Sequence, residues 1–396
     1  MALAKFVKIG GVWKAVSHEY VKIAGVWKAV TTNWAKVTTW KGIPFAKYLF
    51  VCEQVSDRPY MLNDTPVVGW YMPQATAWRD DKTYSINEVA TYLGITYRAT
   101  ASSLNIPPPD ASYWANAFTD PVDVAVGPQN TSYWACGNLV FKVAVDGTVD
   151  WVFTGHDTTV LSVCVDADGN VYTGDFGGTV KKISPAGGEL WTKTLGANYS
   201  VYCLAVDYSA GKLYAGTGWA NDAVYRLHCS NGNSTRLYTC PYGDVSGIAI
   251  DEGIPDLYIG TNAGYLLKIS TGGYVYWGAG DAICSDVHNV RVGHDGFGYC
   301  ATGAGGTYGK GLYKFNLSTG ARIWSYSPGG TACAIGCTVD LFGNVYGTWC
   351  VPGGSTTENA VRKINSSGSL VWTWRPYLNA QMFGIATSPG AKAAGL

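Results

Sequence analysis

The stretch that decides the fold runs from Thr158 to Trp191 and reads TTVLSVCVDADGNVYTGDFGGTVKKISPAGGELW. Short apolar or alternating segments are separated there by turns rich in Asp, Asn and Gly. This arrangement is typical of an antiparallel meander. We therefore predict three or four short strands in this stretch, the last of them closing on Trp191.

The same pattern returns along the chain. Val245–Trp277 and Ile335–Trp372 repeat it closely, and successive closing aromatics are 40, 47, 39, 47 and 48 residues apart. The closing aromatics are Trp151, Trp191, Tyr238, Trp277, Trp324 and Trp372. Repeats of about 40 to 50 residues with four strands each predict a β-propeller, in which each blade buries its faces against its neighbours.

Composition agrees with an all-β protein, since 50 of the 396 residues are Gly and 14% are aromatic. Net charge is zero, but residues 1–47 contain eight Lys and one Glu. Such a segment either docks on an acidic partner or forms a solvated edge.

The start, MALAKFVKIGG, has no long apolar core and no later run spans a membrane, so we expect neither a signal peptide nor membrane insertion. The eleven cysteines are expected to be buried free thiols.

One blade is predicted to be split between the two ends of the chain. Residues 46–72 align with the last three strands of a repeat, because Leu62–Trp70 matches Ile364–Trp372. They lack a first strand, and Phe383–Thr387 matches the first strand Ser246–Ile250. We predict that residues 382–388 complete this blade, which gives seven blades within residues 46–72 and 118–396. Six blades remain if the fragments do not pair.

The segment before the propeller carries its own short repeat, VKIGGVWKAV from Val7 and VKIAGVWKAV from Val21, with a degenerate copy from Trp34. Each unit predicts a β-hairpin. The repeated phrase resembles the N-terminal segments of bacteriophage tail fibre and tail adhesin proteins. That resemblance implies that residues 1–45 attach to other tail or baseplate proteins in a virion assembled in the host cytoplasm; an ordinary hairpin appendage is the alternative.

Residues 73–117 interrupt the repeats and resemble the small chitin- and cellulose-binding modules of carbohydrate-binding families 5 and 12. The resemblance is carried by Trp78, Tyr84, Val89, Tyr92, Gly94, Tyr97-Arg98-Ala99, Pro107-Pro108 and Trp114. It implies that exposed aromatic rings stack on sugar rings. The candidate contacts are Trp78, Tyr92, Tyr113 and Trp114. The residues themselves leave a second interpretation open, in which Tyr84, Tyr97 and Trp114 form the module's core.

One column of the predicted first strands is small, as expected near a propeller axis. Its members are Ala125, Cys164, Ala205, Ala249, Thr338 and Ala386. Arg291 breaks the column and is a candidate for binding an anion in the central channel; a solvated lining or a local ion pair is the alternative. The blades also resemble the quinoprotein-like repeat class through GNVYTG and GELW, and no cofactor is predicted.

Catalytic and metal-binding motifs are absent from the sequence, including GxSxG, HExxH, a phosphate loop and CxxC. Cys333 and Cys337 have no matching partner pair, and His288 and His294 are better explained as turn or surface residues. Aspartates recur once per blade after the same strand, which predicts Asx turns. They are Asp166, Asp207, Asp251 and Asp340. Nucleic-acid binding is not predicted, since the propeller half is not basic.

Together these expectations describe a non-enzymatic phage tail or baseplate adhesin that binds host surface glycans. A capsule-degrading propeller lyase or hydrolase is the first alternative, with Arg291 near its site. A purely structural tail component is the second. The sequence leaves the glycan, the host, the copy number and a homo-oligomeric state open.

Overall fold

The computed structural model divides the chain into two compact units, residues 1–43 with residue 396 and residues 44–395. The structure describes residues 6–9, 12–15, 20–23, 26–29, 48–53, 58–63, 68–71, 75, 77–92, 95–108, 110–118, 121–219, 221–251, 254–278, 286–303, 310–351, 359–375 and 382–387.

The first unit contains two antiparallel hairpins. Strand β1 (Phe6–Ile9) pairs with β2 (Val12–Ala15), and β3 (Tyr20–Ile23) pairs with β4 (Val26–Ala29). The two registers are equivalent, since Lys8 lies opposite Trp13 and Lys22 opposite Trp27. The repeated sequence thus forms the same hairpin twice. The degenerate third copy lies outside the described residues.

The second unit is built from strands β5 to β37. They are β5 (Tyr48–Glu53), β6 (Arg58–Asn63), β7 (Val68–Tyr71), β8 (Thr83–Tyr84), β9 (Val89–Tyr92), β10 (Ile95–Ala99), β11 (Ser103–Leu104), β12 (Trp114–Asn116), β13 (Pro121–Val126), β14 (Ser132–Cys136), β15 (Leu139–Val143), β16 (Val149–Phe153), β17 (Val160–Val165), β18 (Val171–Asp175), β19 (Thr179–Ile183), β20 (Glu189–Thr194), β21 (Val201–Asp207), β22 (Lys212–Thr217), β23 (Ala223–His228), β24 (Ser234–Thr239), β25 (Val245–Asp251), β26 (Asp256–Thr261), β27 (Leu266–Ser270), β28 (Val275–Gly278), β29 (Val287–Val292), β30 (Phe297–Thr302), β31 (Gly311–Asn316), β32 (Arg322–Tyr326), β33 (Cys333–Val339), β34 (Val345–Cys350), β35 (Ala360–Ile364), β36 (Leu370–Trp374) and β37 (Met382–Thr387). A short 3₁₀ helix, Pro128–Asn130, follows β13.

Most of these strands belong to four-stranded antiparallel sheets, as the repeat predicts. Sheets 1 to 6 each take four consecutive strands: β13–β16, β17–β20, β21–β24, β25–β28, β29–β32 and β33–β36. A further sheet, which we name the split sheet, has the order β37-β5-β6-β7. The architecture is all-β and consistent with a β-propeller, which confirms that part of the predicted fold class.

Two irregularities recur at equivalent places in these sheets. The first strand has a register shift near its start in every sheet, for example between Val160 and Ser162 and between Met382 and Ile385. The third and fourth strands share a second shift, between Lys182 and Ile183 in sheet 2 and between Met61 and Leu62 in the split sheet. Bulges twist a strand locally, so their recurrence gives all these sheets a similar curvature.

Each sheet has two ends, for which we use fixed names. The lower face carries the turns between strands one and two and between strands three and four. The upper face carries the turns between strands two and three and the links to the next sheet. Asx turns hold the lower face: Asp166 accepts hydrogen bonds from the backbone N–H groups of Asp168 and Asn170, and Asp340 repeats the pattern. Asp207 accepts from Ala210. The predicted role of these three aspartates is confirmed.

A tryptophan near the lower face joins each of several sheets to the next. Trp191 Nε1 donates to the carbonyl of Cys229, 2.9 Å away in the following sheet, and its ring covers Gly232. A Cβ atom at Gly232 would lie 2.8 Å from that ring, and its φ is +71°, so glycine fits on both counts. The equivalent pairs are Trp151 with Gly187, Trp277 with Gly320 and Trp324 with Gly368. Repetition of the closing tryptophan therefore reflects packing between sheets.

Register in the first strands agrees with the small column proposed from the sequence. Each small column residue pairs with an aromatic residue of the second strand: Ala125 with Tyr133, Cys164 with Tyr172, Ala205 with Tyr214, Ala249 with Tyr258, Thr338 with Tyr346 and Ala386 with Phe50. Arg291, which breaks the column, pairs with Tyr299. Side chains opposite one another on a sheet must share space, so a small residue leaves room for the ring.

Strand β37 pairs antiparallel with β5, with Ile385 opposite Val51. Both residues are buried with Leu49 in a cluster that also contains Tyr346 of sheet 6. In addition, β37 lies against β13 of sheet 1 and β33 of sheet 6. The last described strand of the chain is thus packed between sheets from both sides.

None of the described helices is long and apolar enough to cross a membrane. Nine cysteines of the described part are free thiols, most of them buried in strands. Burial raises the pKa of the Cys337 thiol to about 12, which keeps it protonated near neutral pH.

Candidate glycan-binding site

The inserted module folds as two small sheets. Its three-stranded sheet has the order β12-β10-β9, and a two-stranded sheet pairs β11 with β8. The buried centre comprises Tyr84, Ala90, Ala99 and Trp114, with Trp78, Tyr97 and Tyr113 packed around it. Several aromatic side chains of the sequence motif therefore form the core of the module. A module of this size needs large side chains to bury enough apolar surface.

Trp114, one of the four predicted sugar contacts, belongs to this core. Only 3% of its surface is exposed, and its ring meets Tyr84 edge-on at 5.1 Å. Its Nε1 donates to the carbonyl of Ile106 at 2.8 Å, so the polar edge is also occupied. A buried ring offers no face to a sugar, and the prediction of Trp114 as a contact is wrong. The alternative interpretation, in which Tyr84, Tyr97 and Trp114 form the core, is confirmed for Tyr84 and Trp114, while Tyr97 is partly buried and packs against them.

Trp78 and Tyr92 are brought together and are only partly buried. Trp78 is held by a hydrogen bond from its backbone N–H to the carbonyl of Thr91 at 2.8 Å. The two ring centroids are 5.6 Å apart and the ring planes meet at 86°. The pair is therefore a corner and not a flat platform, and a single sugar ring can stack on only one of the two faces.

Tyr113, the remaining candidate, is partly buried at the edge of the module core. Its backbone is fixed on both sides, because its N–H donates to Asp110 and its carbonyl accepts from Thr100. Three rings of intermediate exposure thus stand on a hydrogen-bonded β scaffold. Such preordered rings can bind a sugar with little loss of side-chain freedom.

The module is anchored on sheet 1 through its C-terminal end. Phe118 is fully buried, and its ring lies 4.2 Å from that of Phe141. Ala117 and Val89 join the same cluster, together with Trp134. The module occupies the link from the split sheet to sheet 1, so it leaves the sheets at their upper face.

Arg291 reaches towards residues of several first strands. Burial raises the pKa of Asp123 in sheet 1, of Cys164 and Cys203 in sheets 2 and 3, and of Cys337 in sheet 6, and the charge of Arg291 opposes each of these shifts. One side chain acts on all four because these strands gather around a common axis. Arg291 donates to the carbonyl of Val290 at 3.0 Å, and the anion site and the local ion pair both stay predictions.

Asp123 itself is held by two backbone donors, Val124 N–H and Val163 N–H, each at 2.9 Å from a carboxylate oxygen. Burial nevertheless raises the pKa of this carboxyl to about 6, against the opposing effects of these bonds and of Arg291. Asp123 therefore joins sheets 1 and 2 at the axis and titrates close to neutral pH.

The described residues contain no group of three or more His, Cys, Asp or Glu side chains placed to hold a metal ion. His288 Nε2 lies 2.6 Å from Asp286 Oδ1, and both side chains are partly exposed. His156, to which the sequence assigned no role, is buried between Asp175 and Thr173, with both ring nitrogens 2.8 Å from their partners. Both nitrogens are occupied within the fold, so this histidine positions the end of sheet 2.

A polar pocket of about 420 Å³ lies on the lower face between sheets 2 and 3. Its walls include Tyr208, Lys212, His228 and Asp168, and Tyr208 donates to Asp168 at 2.9 Å. The adjoining Asp166 accepts bonds from its own turn and from the Tyr172 hydroxyl. Much of the pocket wall therefore consists of residues of the Asx turns that recur on the lower face.

Comparison with known proteins gives the fold alone. No protein-family model and no curated protein matches the chain. Among solved structures, a chain of the "Crystal Structure of Mitotic Checkpoint Complex", itself a propeller, is similar with a TM-score of 0.54 and 19% identity. The similarity covers 65% of this chain and 77% of that chain. At this identity the likeness supports the propeller architecture and carries no function.

Sequence reasoning gave no role to Phe176 and Trp219, whose side chains are 41% and 68% exposed. Both stand in glycine-containing turns of the upper face, within DFGG and GTGWAND. An aromatic residue inside such a turn lacks a strand partner to pack on. An aromatic residue in a glycine-containing turn is therefore the sequence signal that points to these two positions.

Proposed function

We propose that this chain is a non-enzymatic adhesin of a bacteriophage tail or baseplate that binds host surface glycans. The observation that carries the proposal is the aromatic corner of Trp78 and Tyr92, which is partly exposed on a module that resembles carbohydrate-binding families. Attachment to the particle through residues 1–45 is supported by the two equivalent hairpins formed from the tail-like repeat.

The scaffold that we propose is a seven-bladed ring shut by strands from both ends of unit 2. The pairing of β37 with β5 and the contacts of β37 with β13 and β33 support it. A closed ring has no exposed sheet edge at its junction, which suits a protein that must remain folded outside a cell.

A glycan array probed with the full chain tests the binding function. The wild type is expected to bind at least one host-type polysaccharide. The double variant Trp78→Ala/Tyr92→Ala is expected to lose about tenfold or more in affinity, the scale of one lost aromatic contact. Tyr274→Ala, which removes an exposed ring from the lower face, is the matched control and should bind as the wild type does. Equal binding by all three chains would contradict the proposal.

A phage deletion separates the adhesin from a structural tail component. Particles that lack the chain should assemble and fail to adsorb to their host if it is an adhesin. Failure of assembly would favour the structural role.

One observation favours the enzymatic alternative, namely the pocket that gathers His228, Tyr208 and Asp168. A capsule-degrading enzyme would release new reducing or unsaturated ends from host polysaccharide, and His228→Ala would stop that release. We expect no such ends, because Asp166 and its neighbours are engaged in the turn.

A further inference from the structure

Aromatic side chains of sheets 2, 3 and 4 contact one another in pairs on the upper face. Phe176, Trp219 and Tyr265 occupy the turn between strands two and three in the three successive sheets. Phe176 and Trp219 meet edge-on with ring centroids 5.6 Å apart, and Tyr265 stacks on Tyr242 at 4.3 Å with an interplanar angle of 22°. We name these four rings, with the polar side chains between them, the upper-face strip.

Trp219 is presented at a conformational cost. Its φ is +71°, in the left-handed region that bulky residues avoid, whereas the other non-glycine residues described there are Asn or Gln. The turn is held by Trp219 N–H donating to Asp244 at 2.8 Å and by Gly218 N–H donating to Ser200 at 3.1 Å. Strain of this kind is kept where the surroundings enforce it, and it is common at binding sites.

Phe176 is also fixed by its surroundings. The preceding Asp175 accepts a hydrogen bond from Thr179 N–H at 2.8 Å, and its other oxygen lies against buried His156. Thr158 accepts from Gly177 N–H at 2.9 Å, so the turn is bonded on both sides of the ring. Both exposed rings of this end of the strip are therefore preordered.

Polar groups lie between the two aromatic pairs. Asp244 accepts from Trp219 N–H with one oxygen and from Asn262 Nδ2 with the other, the latter at 2.9 Å. Asp222 is hydrogen-bonded to Asp244, and both carboxyls are partly exposed. Beside a flat ring, carboxylates accept hydrogen bonds from neighbouring hydroxyl groups, and a side-chain amide both accepts and donates them.

We infer that the upper-face strip is a second glycan-binding site, separate from the module, and that it takes a neutral polysaccharide. Trp219 and Phe176 supply the apolar surfaces, and Asp222, Asp244 and Asn262 bond the sugar hydroxyls. The inference rests on the proposed glycan-binding function and adds the substrate class. A chain of several sugar units fits the strip better than a single sugar, since its rings span three sheets.

Charge and ring geometry select this ligand class. Two adjacent carboxyls repel uronic and sialic acids, so an acidic polysaccharide is disfavoured. An aromatic cage for a quaternary ammonium group needs a gap between its walls. Phe176 and Trp219 touch each other instead, which leaves their outer faces as the binding surfaces.

The test uses the full chain as wild type, Trp219→Gly, Trp78→Ala and the double variant. Each is applied to an array of neutral and acidic bacterial polysaccharides, to which the oligosaccharides chitohexaose, cellohexaose and hexagalacturonate are added. Glycine relieves the left-handed strain, so Trp219→Gly is expected to melt at the same or a higher temperature while its affinity for neutral glycans falls about tenfold or more. Tyr274→Ala is again the control on the opposite face.

The outcomes distinguish the two sites. Loss in Trp219→Gly but not in Trp78→Ala supports the strip and removes the module from the proposed function. Loss in Trp78→Ala alone overturns the strip and leaves the proposed function standing, and binding of no glycan of either kind by the wild type overturns both. Preferential binding of hexagalacturonate, or retention on phosphocholine resin that Trp219→Gly abolishes, also overturns the neutral-glycan assignment.

Discussion

The lower and upper faces of the sheets differ in how far they follow the repeat. On the lower face, the same Asp turns and the same tryptophan-on-glycine contacts return from sheet to sheet. On the upper face, the turns differ in length and carry exposed rings such as Trp219 and Phe176. The lower face therefore repeats many of its contacts from sheet to sheet, whereas the turns of the upper face differ from one another.

This difference teaches where to look for function in a repeat protein. A residue that recurs in every repeat answers a need that every repeat has, which is to fold and to pack on its neighbours. A residue that only one repeat carries, and that is held in an unfavourable conformation, is better explained by the function of the protein than by folding. Trp191 and Trp219 are the clearest examples of the two kinds.

The largest effect is expected from removing β37. A chain that stops at residue 381 leaves Leu49 and Val51 without their buried neighbour Ile385 and exposes the edge of β5. We expect loss of cooperative unfolding and aggregation, measured by thermal melting and light scattering. A chain that stops at residue 387 keeps β37 and should behave as the full protein does. Normal melting of the shorter chain would show that the split sheet contributes little.

The comparison between the faces is sharpest for two tryptophans. Trp191→Ala should lower the free energy of unfolding by about 3 kcal/mol, because the ring packs on Gly232 and bonds to Cys229. Trp219→Ala should change it by less than about 1 kcal/mol, since the side chain is 68% exposed. Urea denaturation of both variants measures the difference. Similar losses would remove the distinction between the faces.

A smaller effect is expected from Asp123 at the axis. Its pKa is raised from 3.8 to about 6, so the folded state holds the proton more tightly than the unfolded chain does. The free energy of unfolding should therefore fall as pH rises from about 4 to about 6, by up to about 3 kcal/mol. Asp123→Asn should remove this slope, measured by urea denaturation across that range. Exposed Asp157→Asn should leave the slope intact.

The smallest effect is expected from Asp222 on the upper face. Burial and the hydrogen bond with Asp244 raise its pKa to about 6, so its contribution has the same sign as that of Asp123. Both carboxyls are partly exposed and screened, and the change between pH 4 and 6 should stay below about 1 kcal/mol. Asp222→Asn should abolish it. A slope as large as that of Asp123 would mean that this pair is far less solvated than its exposure indicates.

Much of the sheet architecture is readable in the sequence because its causes are local or repeated. The turn after each first strand needs an Asx side chain, and Asp166 and Asp340 provide it. Phe383–Thr387 was predicted to pair with β5 because it resembles the first strands of other repeats, and in the structure β37 pairs with β5. Because the repeat occurs several times in one chain, its copies can be compared with one another. The comparison shows which residue types the packing of a sheet requires.

The candidate sites are less readable because exposure depends on distant neighbours. Trp114 looks like a sugar contact until Tyr84 and Ile106 are seen to enclose it. The angle between Trp78 and Tyr92 depends on the backbone path between two strands and follows from neither residue alone. Trp219 is presented by Asp244, which is 25 residues away in sequence.

The pairing of β37 with β5 also governs the order in which the protein matures during synthesis. β5 and β37 are more than 300 residues apart in sequence, so the ribosome makes β5 long before its partner. Until β37 has been made, β5 has an open side that can recruit a strand from another nascent chain. Slow elongation or crowded polysomes would therefore favour entangled multimers, and rapid synthesis of the intervening sheets shortens the time for which this edge is open.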